Sequence, residues 1–401
     1  MSVRNIVNDV LKRPTVFRDE TKLSIDYTPL ELPHREEVIR KLAQLFKTLI
    51  ENPGGATKKV VITGPSGTGK TAVTKRFGSM IQDFANERGI NLHYIHINCR
   101  RYKTSFMILI RIIQHFNPNF PKRGFNVAEL FHILADEILE KEEAYVLLCL
   151  DDADLLLLND PALIYDLTRM RDDSLNSKQR LSFITVAKNN LFKIKLDASI
   201  SSTFQCSTIH LEKYSNLQLI DILKDRIKET FFDGTVLNQT INLIADFAAE
   251  FGDARYALEL LWLAGKHADD AKSLQITPEF ARQAKGDLDP GIKKEIIRDL
   301  NLHQKLILLA ITRQLKSTEK AYVIMGDCQR AYQIICEEHG ITHRSYTKVW
   351  EHVKELADYS DFLSTKVAKL DNKPGQTTLL RLNVPIEILE QVLEDELTQK
   401  G

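Results

Sequence analysis

Short apolar runs alternate with amphipathic stretches through the first half of the chain, and amphipathic stretches alone fill most of the second half. The run KKVVIT (58–63) is β-branched and bounded by Gly64 and Pro65, the form of a strand. A helical pattern extends from Lys70 to about Glu87, and NLHYIHINC (91–99) alternates like a second strand. Residues 104–116 and 127–141 have helical spacing and flank the breaker-rich loop NPNFPKRGF. AYVLLCLDD (144–152) is continuously apolar and ends in acids, as a parallel strand buried on both faces does. SFITVAKNN (182–190) and CSTIHLEKY (206–214) supply further strands. Strands alternating with helices predict an α/β fold with a doubly wound parallel sheet.

After Tyr214 the period changes. Residues 216–232, 237–250, 253–269 and 278–286 read as amphipathic helices with no strand between them, and GDLDPG (286–291) has the composition of a linker. Beyond it, 302–313, 328–339 and 343–357 read as helices, followed by a hairpin pattern, FLSTKVAKL, DNKPGQ and TTLLRLNV. Three helices and a hairpin is the order of a winged-helix domain. The predicted organisation is therefore an α/β base over 1–215 with a helical insertion at about 101–143, a helical subdomain over 216–288, and a winged helix over 289–401.

Composition narrows the class without naming a partner. Among 401 residues, 54 Lys and Arg balance 54 Asp and Glu, so any basic surface is local. The five cysteines contain no Cys-x-x-Cys pair, which excludes a zinc ribbon and argues against a disulfide scaffold. The start, MSVRNIVNDVLKRP, mixes charges into its apolar residues and does not read as a signal peptide. No uncharged apolar run approaches the roughly 18 residues that span a bilayer. A cytoplasmic, nucleoid-associated protein without a membrane partner is expected.

The strongest chemical signal is Gly64-Pro65-Ser66-Gly67-Thr68-Gly69-Lys70-Thr71, followed by Ala72, which matches G-x-x-x-x-G-K-[ST] between a predicted strand and a predicted helix. Glycines let consecutive N–H groups curl around phosphate oxygens, and the helix N-terminus adds a favourable dipole. In such a loop, which binds ATP or ADP, Lys70 reaches the β- and γ-phosphates, and the Thr71 hydroxyl binds Mg²⁺. Asp151 ends the apolar strand expected beside the phosphate-loop strand, which would set its carboxylate next to Thr71 and the metal. Asp152 is the candidate for orienting the attacking water. Asn189, after the following strand, is the candidate for contacting the γ-phosphate or that water; elsewhere an Asn-Asn pair marks only a turn. Arg255, in GDARYALELL at a helix start, is a candidate phosphate contact from the helical subdomain.

In this order, GPSGTGKT, LCLDD, the asparagine of AKNN and GDAR resemble the AAA+ ATPases. YTPLELPHREEVIRKL (27–42) and HLEKYSNLQLIDILKDR (210–226) narrow the resemblance to archaeal replication initiators related to eukaryotic origin-recognition subunit one and the cell-division-control licensing factor, from about Phe17 to Asn383. The resemblance implies that the helical subdomain is a lid, that Tyr214 and Arg226 border the nucleotide, and that Arg255 is the second sensor. It also implies that Pro33, His34 and Arg35 pack near the adenine, and that Lys122 and Arg123 in the insertion loop meet DNA. Two positions depart from the pattern: Asp152 stands where glutamate is usual, and Ser199 stands where an arginine finger aligns.

In the winged helix, Val349, Val353 and Leu356 make a core stripe on the recognition helix. That leaves Arg344, Ser345, Tyr346 and Lys348 at its start, where side chains meet base edges and phosphates. Lys366, Lys369, Lys373 and Arg381 on the hairpin are the expected phosphate contacts. The expected function is an ATP-switched initiator that binds double-stranded DNA at replication origins, with slow hydrolysis, and that works with the replicative helicase and other initiator paralogues. The competing readings are a paralogue of the same fold that regulates or represses, and a clamp-loader-like ATPase.

Overall fold

The computed structural model describes residues 14–154, 156, 160, 163, 166–167, 178–188, 206–289, 294–369 and 376–398. The chain forms two compact units, one of residues 26–218 with 251–254, the other of the rest.

The first unit is built on five parallel strands, β1 (Lys59–Thr63), β2 (Leu92–Asn98), β3 (Tyr145–Asp151), β4 (Leu181–Val186) and β5 (Ser207–His210), in the spatial order β2-β3-β4-β1-β5. The last four residues of β1 and all of β4 are buried, as their unbroken apolar character requires. One face is covered by α1 (Glu36–Phe46) and α2 (Lys70–Asn86), which bury Leu42, Phe46, Val73 and Phe77 against β1 and β4. The other carries α3 (Ser105–Phe116) and α4 (Val127–His132), whose Ile108, Ile112 and Leu130 pack on β2 and β3. α4 runs on into a π-helical stretch, Ile133–Glu140. The strand of Asp151 is not beside the phosphate-loop strand as expected. β4 lies between them, because the first crossover carries the chain from β1 to the sheet edge at β2, and β3 and then β4 return one place at a time toward β1.

The second unit joins the lid helices to the winged helix. α5 (Asn216–Thr230) belongs to it from Leu219 and α7 (Ala254–Asp270) from Arg255, and α6 (Asn238–Ala249) and α8 (Pro278–Leu288) complete the lid. Residues 14–25 belong to this unit: Phe17 lies against Phe231, and Glu20 accepts from Trp262 and Lys266. The winged helix contains α9 (Leu302–Thr318), α10 (Met325–Glu338), α11 (Tyr346–Tyr359) and the hairpin β7 (Leu363–Lys369) and β8 (Gln376–Leu382), joined by a short strand β6 (Val323–Ile324). A terminal helix α12 (Ile386–Thr398) completes it, burying Ile386, Leu389, Val392 and Leu393. Those positions carry the helical period, although three helices and a hairpin leave no place for a further helix.

Arg282 ties lid to winged helix. It is 1% exposed, pairs with Glu279, and donates to the carbonyls of Lys320 and Ala321. Glu279 in turn accepts from the amide of Ile386, and Tyr322 donates to Asp246.

Candidate nucleotide site and nucleic-acid interface

The loop between β1 and α2 holds Gly64, Gly67 and Gly69 at positive φ. At Gly67 (φ 71°) the need is also steric: a Cβ would lie 1.7 Å from the Asp253 carboxylate. The Lys70 ammonium donates to the carbonyls of Gly64 (2.7 Å) and Pro65 (2.6 Å), and Thr68 donates to Pro65 as well. Ser66 is exposed at the crest and Ala72 half-buried in the first turn of α2. Arg35 and Tyr214, expected near the nucleotide, brace this loop from behind, a role that the sequence does not spell out. Arg35, 7% exposed, donates through Nε and Nη2 to the Thr68 carbonyl (3.1 and 2.9 Å) and through Nη2 to that of Glu212. Its guanidinium lies 3.9 Å from the Tyr214 ring centre, and the Tyr214 hydroxyl abuts Gly69. Burial pushes the Tyr214 phenol up, and Arg35 pulls it partly back. Tyr214 and Arg35 thus hold the loop itself. The Ala254 amide donates to the Gly67 carbonyl at 3.1 Å, so Gly252-Asp253-Ala254 forms a third wall.

Across the loop the Thr71 hydroxyl donates to Asp151 Oδ2 at 2.8 Å, although β4 separates the two strands. Asp151 Oδ1 accepts from the Asp152 amide, and His96 on β2 approaches Oδ2 at 3.3 Å. Register explains the histidine: Asn98 pairs with Asp151, so His96 sits two residues back on the same face of the neighbouring strand. Its Nδ1 meets the Tyr94 hydroxyl at 3.0 Å. Tyr94 fits only because Gly78 of α2 has no side chain; a Cβ there would lie 2.3 Å from the ring. Burial would raise the Asp151 carboxyl, but His96, Thr71 and the Asp152 amide hold it below the usual carboxylate range. Burial disfavours His96 charge, yet Asp151 and the Cys149 sulfur lift it to about 9. No signal in the sequence separates His96 from a core histidine.

Asp152 takes positive φ (52°), which costs a non-glycine residue about 1 kcal/mol, and its carboxylate pairs with Arg100 at 3.2 Å. Asn189 and Ser199 lie outside the described residues. Arg255 is the second residue of α7. Arg226 is buried in the lid and donates to the Lys22 carbonyl of the N-terminal segment.

The insertion loop is pinched at its base by stacked Phe120 and Phe125 (4.9 Å) and by Gln114 donating to the Phe120 carbonyl. Lys122 and Arg123 stand exposed at its tip.

The recognition helix begins at Tyr346 and not at His343. Ser345 is its extended N-cap, so Arg344 stands in the approach to the helix. Val349, Val353 and Leu356 are buried as the stripe predicts. Tyr346 is 54% exposed, Ser345 is exposed, and Lys348 pairs with Glu351 on its own helix. The hairpin cations divide. Lys369 is exposed; Lys373 lies outside the described residues. Lys366 pairs with Asp246 of the lid at 2.7 Å. Arg381 is a correction: its side chain is 8% exposed, pairs with Glu250 at 2.8 Å and lies over Phe247, so it faces the lid and not a DNA backbone. An arginine near the end of a buried strand reads as a wing cation only until the lid helix against that strand is known.

Among the described residues, no helix is long and apolar enough to cross a membrane. Three family models match in series: an AAA domain over 56–194, a Cdc6 AAA+ ATPase-type lid over 220–286, and a Cdc6 C-terminal winged helix over 295–392. The chain is 35% identical to ORC1-type DNA replication protein 2 of Sulfurisphaera tokodaii, over 99% of this chain and 97% of that one. It superposes on Cdc6p from Pyrobaculum aerophilum with a TM-score of 0.83 at 28% identity, covering 96% and 99% of the two chains. The ORC1 protein of Aeropyrum pernix, solved in complex with DNA, gives 0.62 at 26% identity, covering 96% and 98%. The parallel sheet with its phosphate loop, the helical lid and the terminal winged helix thus carry the resemblance through to identity: this chain belongs to the family of ORC1-type DNA replication proteins.

Proposed function

We propose that the protein is an ATP-dependent replication initiator that binds double-stranded DNA at origins and engages the replicative helicase and initiator paralogues. The observation that carries the nucleotide half is the 2.8 Å bond between Thr71 and an Asp151 held anionic at the foot of a braced phosphate loop. Hard oxygen donors of this kind suit Mg²⁺, with Thr71 and Asp151 as its protein ligands. Bound there, the ion would neutralise phosphate charge. Lys70 would leave its loop carbonyls for the β- and γ-phosphates, and the amides from Gly67 to Thr71 would donate to phosphate oxygens. Arg35 and Tyr214 keep the loop in shape, and the Gly252–Ala254 wall runs directly into α7, which carries Arg255.

Turnover would be slow. Asp152, the candidate for holding the attacking water, is short and committed to Arg100, so nucleotide state serves as a switch. Contacts that differ between ATP and ADP states are what such a switch requires. For DNA, the insertion tip and the start of the recognition helix offer two footholds. The experiment is genome-wide mapping of bound DNA with footprinting on the strongest site, repeated with Lys70→Ala. Enrichment at origins that depends on Lys70 supports the reading; binding spread evenly over the genome would refute it.

A further inference from the structure

At the start of the recognition helix, Arg344 is held by groups outside that helix. Its Nε–H donates to His303 Nε2 at 3.0 Å, and its amide donates to the Tyr332 hydroxyl oxygen at 3.1 Å. That oxygen also lies 2.7 Å from His303 Nδ1. The protons in this triangle are fixed by valence. Arg344 Nε can only donate, so His303 Nε2 accepts; a neutral imidazole then carries its proton on Nδ1 and gives it to Tyr332. Tyr332 is fully buried on α10. A buried phenol therefore anchors the imidazole, and the imidazole anchors the guanidinium. Nη1 and Nη2 of Arg344 make no hydrogen bond among the described residues.

We infer that His303 is a positioning residue for sequence readout: it holds Arg344 by Nε so that the terminal amino groups project together as a fork toward paired acceptors on a base edge. The inference rests on the reading that this helix enters duplex DNA. A guanidinium fork matches the two acceptors of guanine in the major groove. A fork fixed in advance avoids the cost of ordering a long side chain at binding, roughly 2- to 12-fold in affinity. The latch requires a neutral imidazole, because a proton on Nε2 would set two N–H groups against each other. Arg344 from the approach to α11, His352 stacked at 6.3 Å from α11, and Tyr332 from α10 face the ring; Glu355 of α11 is engaged by His352 and Gln304. Burial, Arg344 and His352 all favour the neutral form.

The test uses the full chain, its strongest footprinted duplex, and a random duplex of equal length. Arg344→Ala should lower the ratio of specific to random affinity roughly 5- to 150-fold. His303→Leu should lower it about 2- to 12-fold, and by nothing further in the Arg344→Ala background. His303→Gln, which keeps an acceptor, should retain the ratio. In the parent the ratio should hold at and above the ordinary histidine range and fall once the pH is taken below it, while His303→Gln stays flat; this arm decides the matter even if His303→Leu folds poorly. If His303→Leu costs as much without Arg344 as with it, or costs nothing while Arg344→Ala has its effect, the positioning role is wrong and base reading stands. If Arg344→Ala leaves the ratio unchanged, base reading by this arginine fails and the inference with it.

Discussion

Tyr94, His96 and Asp151 in one unit, and Tyr332, His303 and Arg344 in the other, form two hydrogen-bonded rows of the same make-up: a phenol, an imidazole and a charged side chain. They differ in the sign of the charge, and the imidazole follows it. Beside a carboxylate 3% exposed, His96 is lifted to about 9 and carries a proton on both nitrogens; beside an exposed guanidinium, His303 is pushed below its ordinary value and keeps one. One residue type thus serves as a counter-charge in the interior and as a neutral acceptor at the surface. The interior row should govern stability, and the surface row should govern specificity.

The largest expected effect breaks the interior row. A histidine raised from 6.5 to about 9 contributes stability that is fully present below pH 6.5 and is lost as pH climbs through 9. Asp151→Asn should therefore destabilise the nucleotide-free protein by about 3 kcal/mol at about pH 6, with a smaller loss at about pH 9.5. Denaturant titrations in the presence of a chelator measure both. Equal losses at the two pH values would mean that His96 is neutral in the fold and that the two rows are alike.

Lys70→Ala tests the loop beside that row. Charge-assisted hydrogen bonds contribute about 1.5–3 kcal/mol, so ATP affinity by calorimetry should drop roughly 10- to 150-fold with stability little changed. Unchanged affinity would mean that the ammonium stays on the Gly64 and Pro65 carbonyls when nucleotide binds.

Much of the first unit is legible in sequence because its signals are local. Gly64 to Thr71 is contiguous, and the apolar runs of β1, β3 and β4 announce buried parallel strands. The features that are not legible depend on which strands become neighbours. The place of β4 between β1 and β3 is topology, and His96 comes beside Asp151 through a β2–β3 register that no spacing encodes. Arg35 stands out through resemblance, but its work on the Thr68 carbonyl is a contact across 33 residues. The winged helix is harder to read. Its core stripe, Val349 to Leu356, is local and correct, whereas the fate of three of its expected DNA contacts is set by long-range partners: His303 for Arg344, Glu250 for Arg381, Asp246 for Lys366.

A smaller effect separates the two DNA footholds. Lys122→Ala with Arg123→Ala should reduce the slope of log affinity against log salt by about two, roughly one per phosphate contact, equally for specific and random duplexes. Loss of preference without loss of slope would make this loop a base reader, and would move sequence readout away from the Arg344 row.

The smallest effect is expected at Lys366, where the sign is informative. An exposed hairpin lysine would release about one counterion on binding, so its removal would lower the salt slope by about one. Lys366 is already neutralised by Asp246, whose side chain is 8% exposed and also accepts from Tyr322 at 2.6 Å. Lys366→Ala should then leave the slope unchanged. Asp246→Asn, which keeps an oxygen for Tyr322 but gives up the charge, should raise the slope by about one as the lysine turns to phosphate. The pair of variants reads out the lid's hold on the hairpin without disturbing Arg344 or His303. A slope that falls by about one in Lys366→Ala would show that DNA outcompetes Asp246, and that the lid and hairpin part at this point when the duplex is bound.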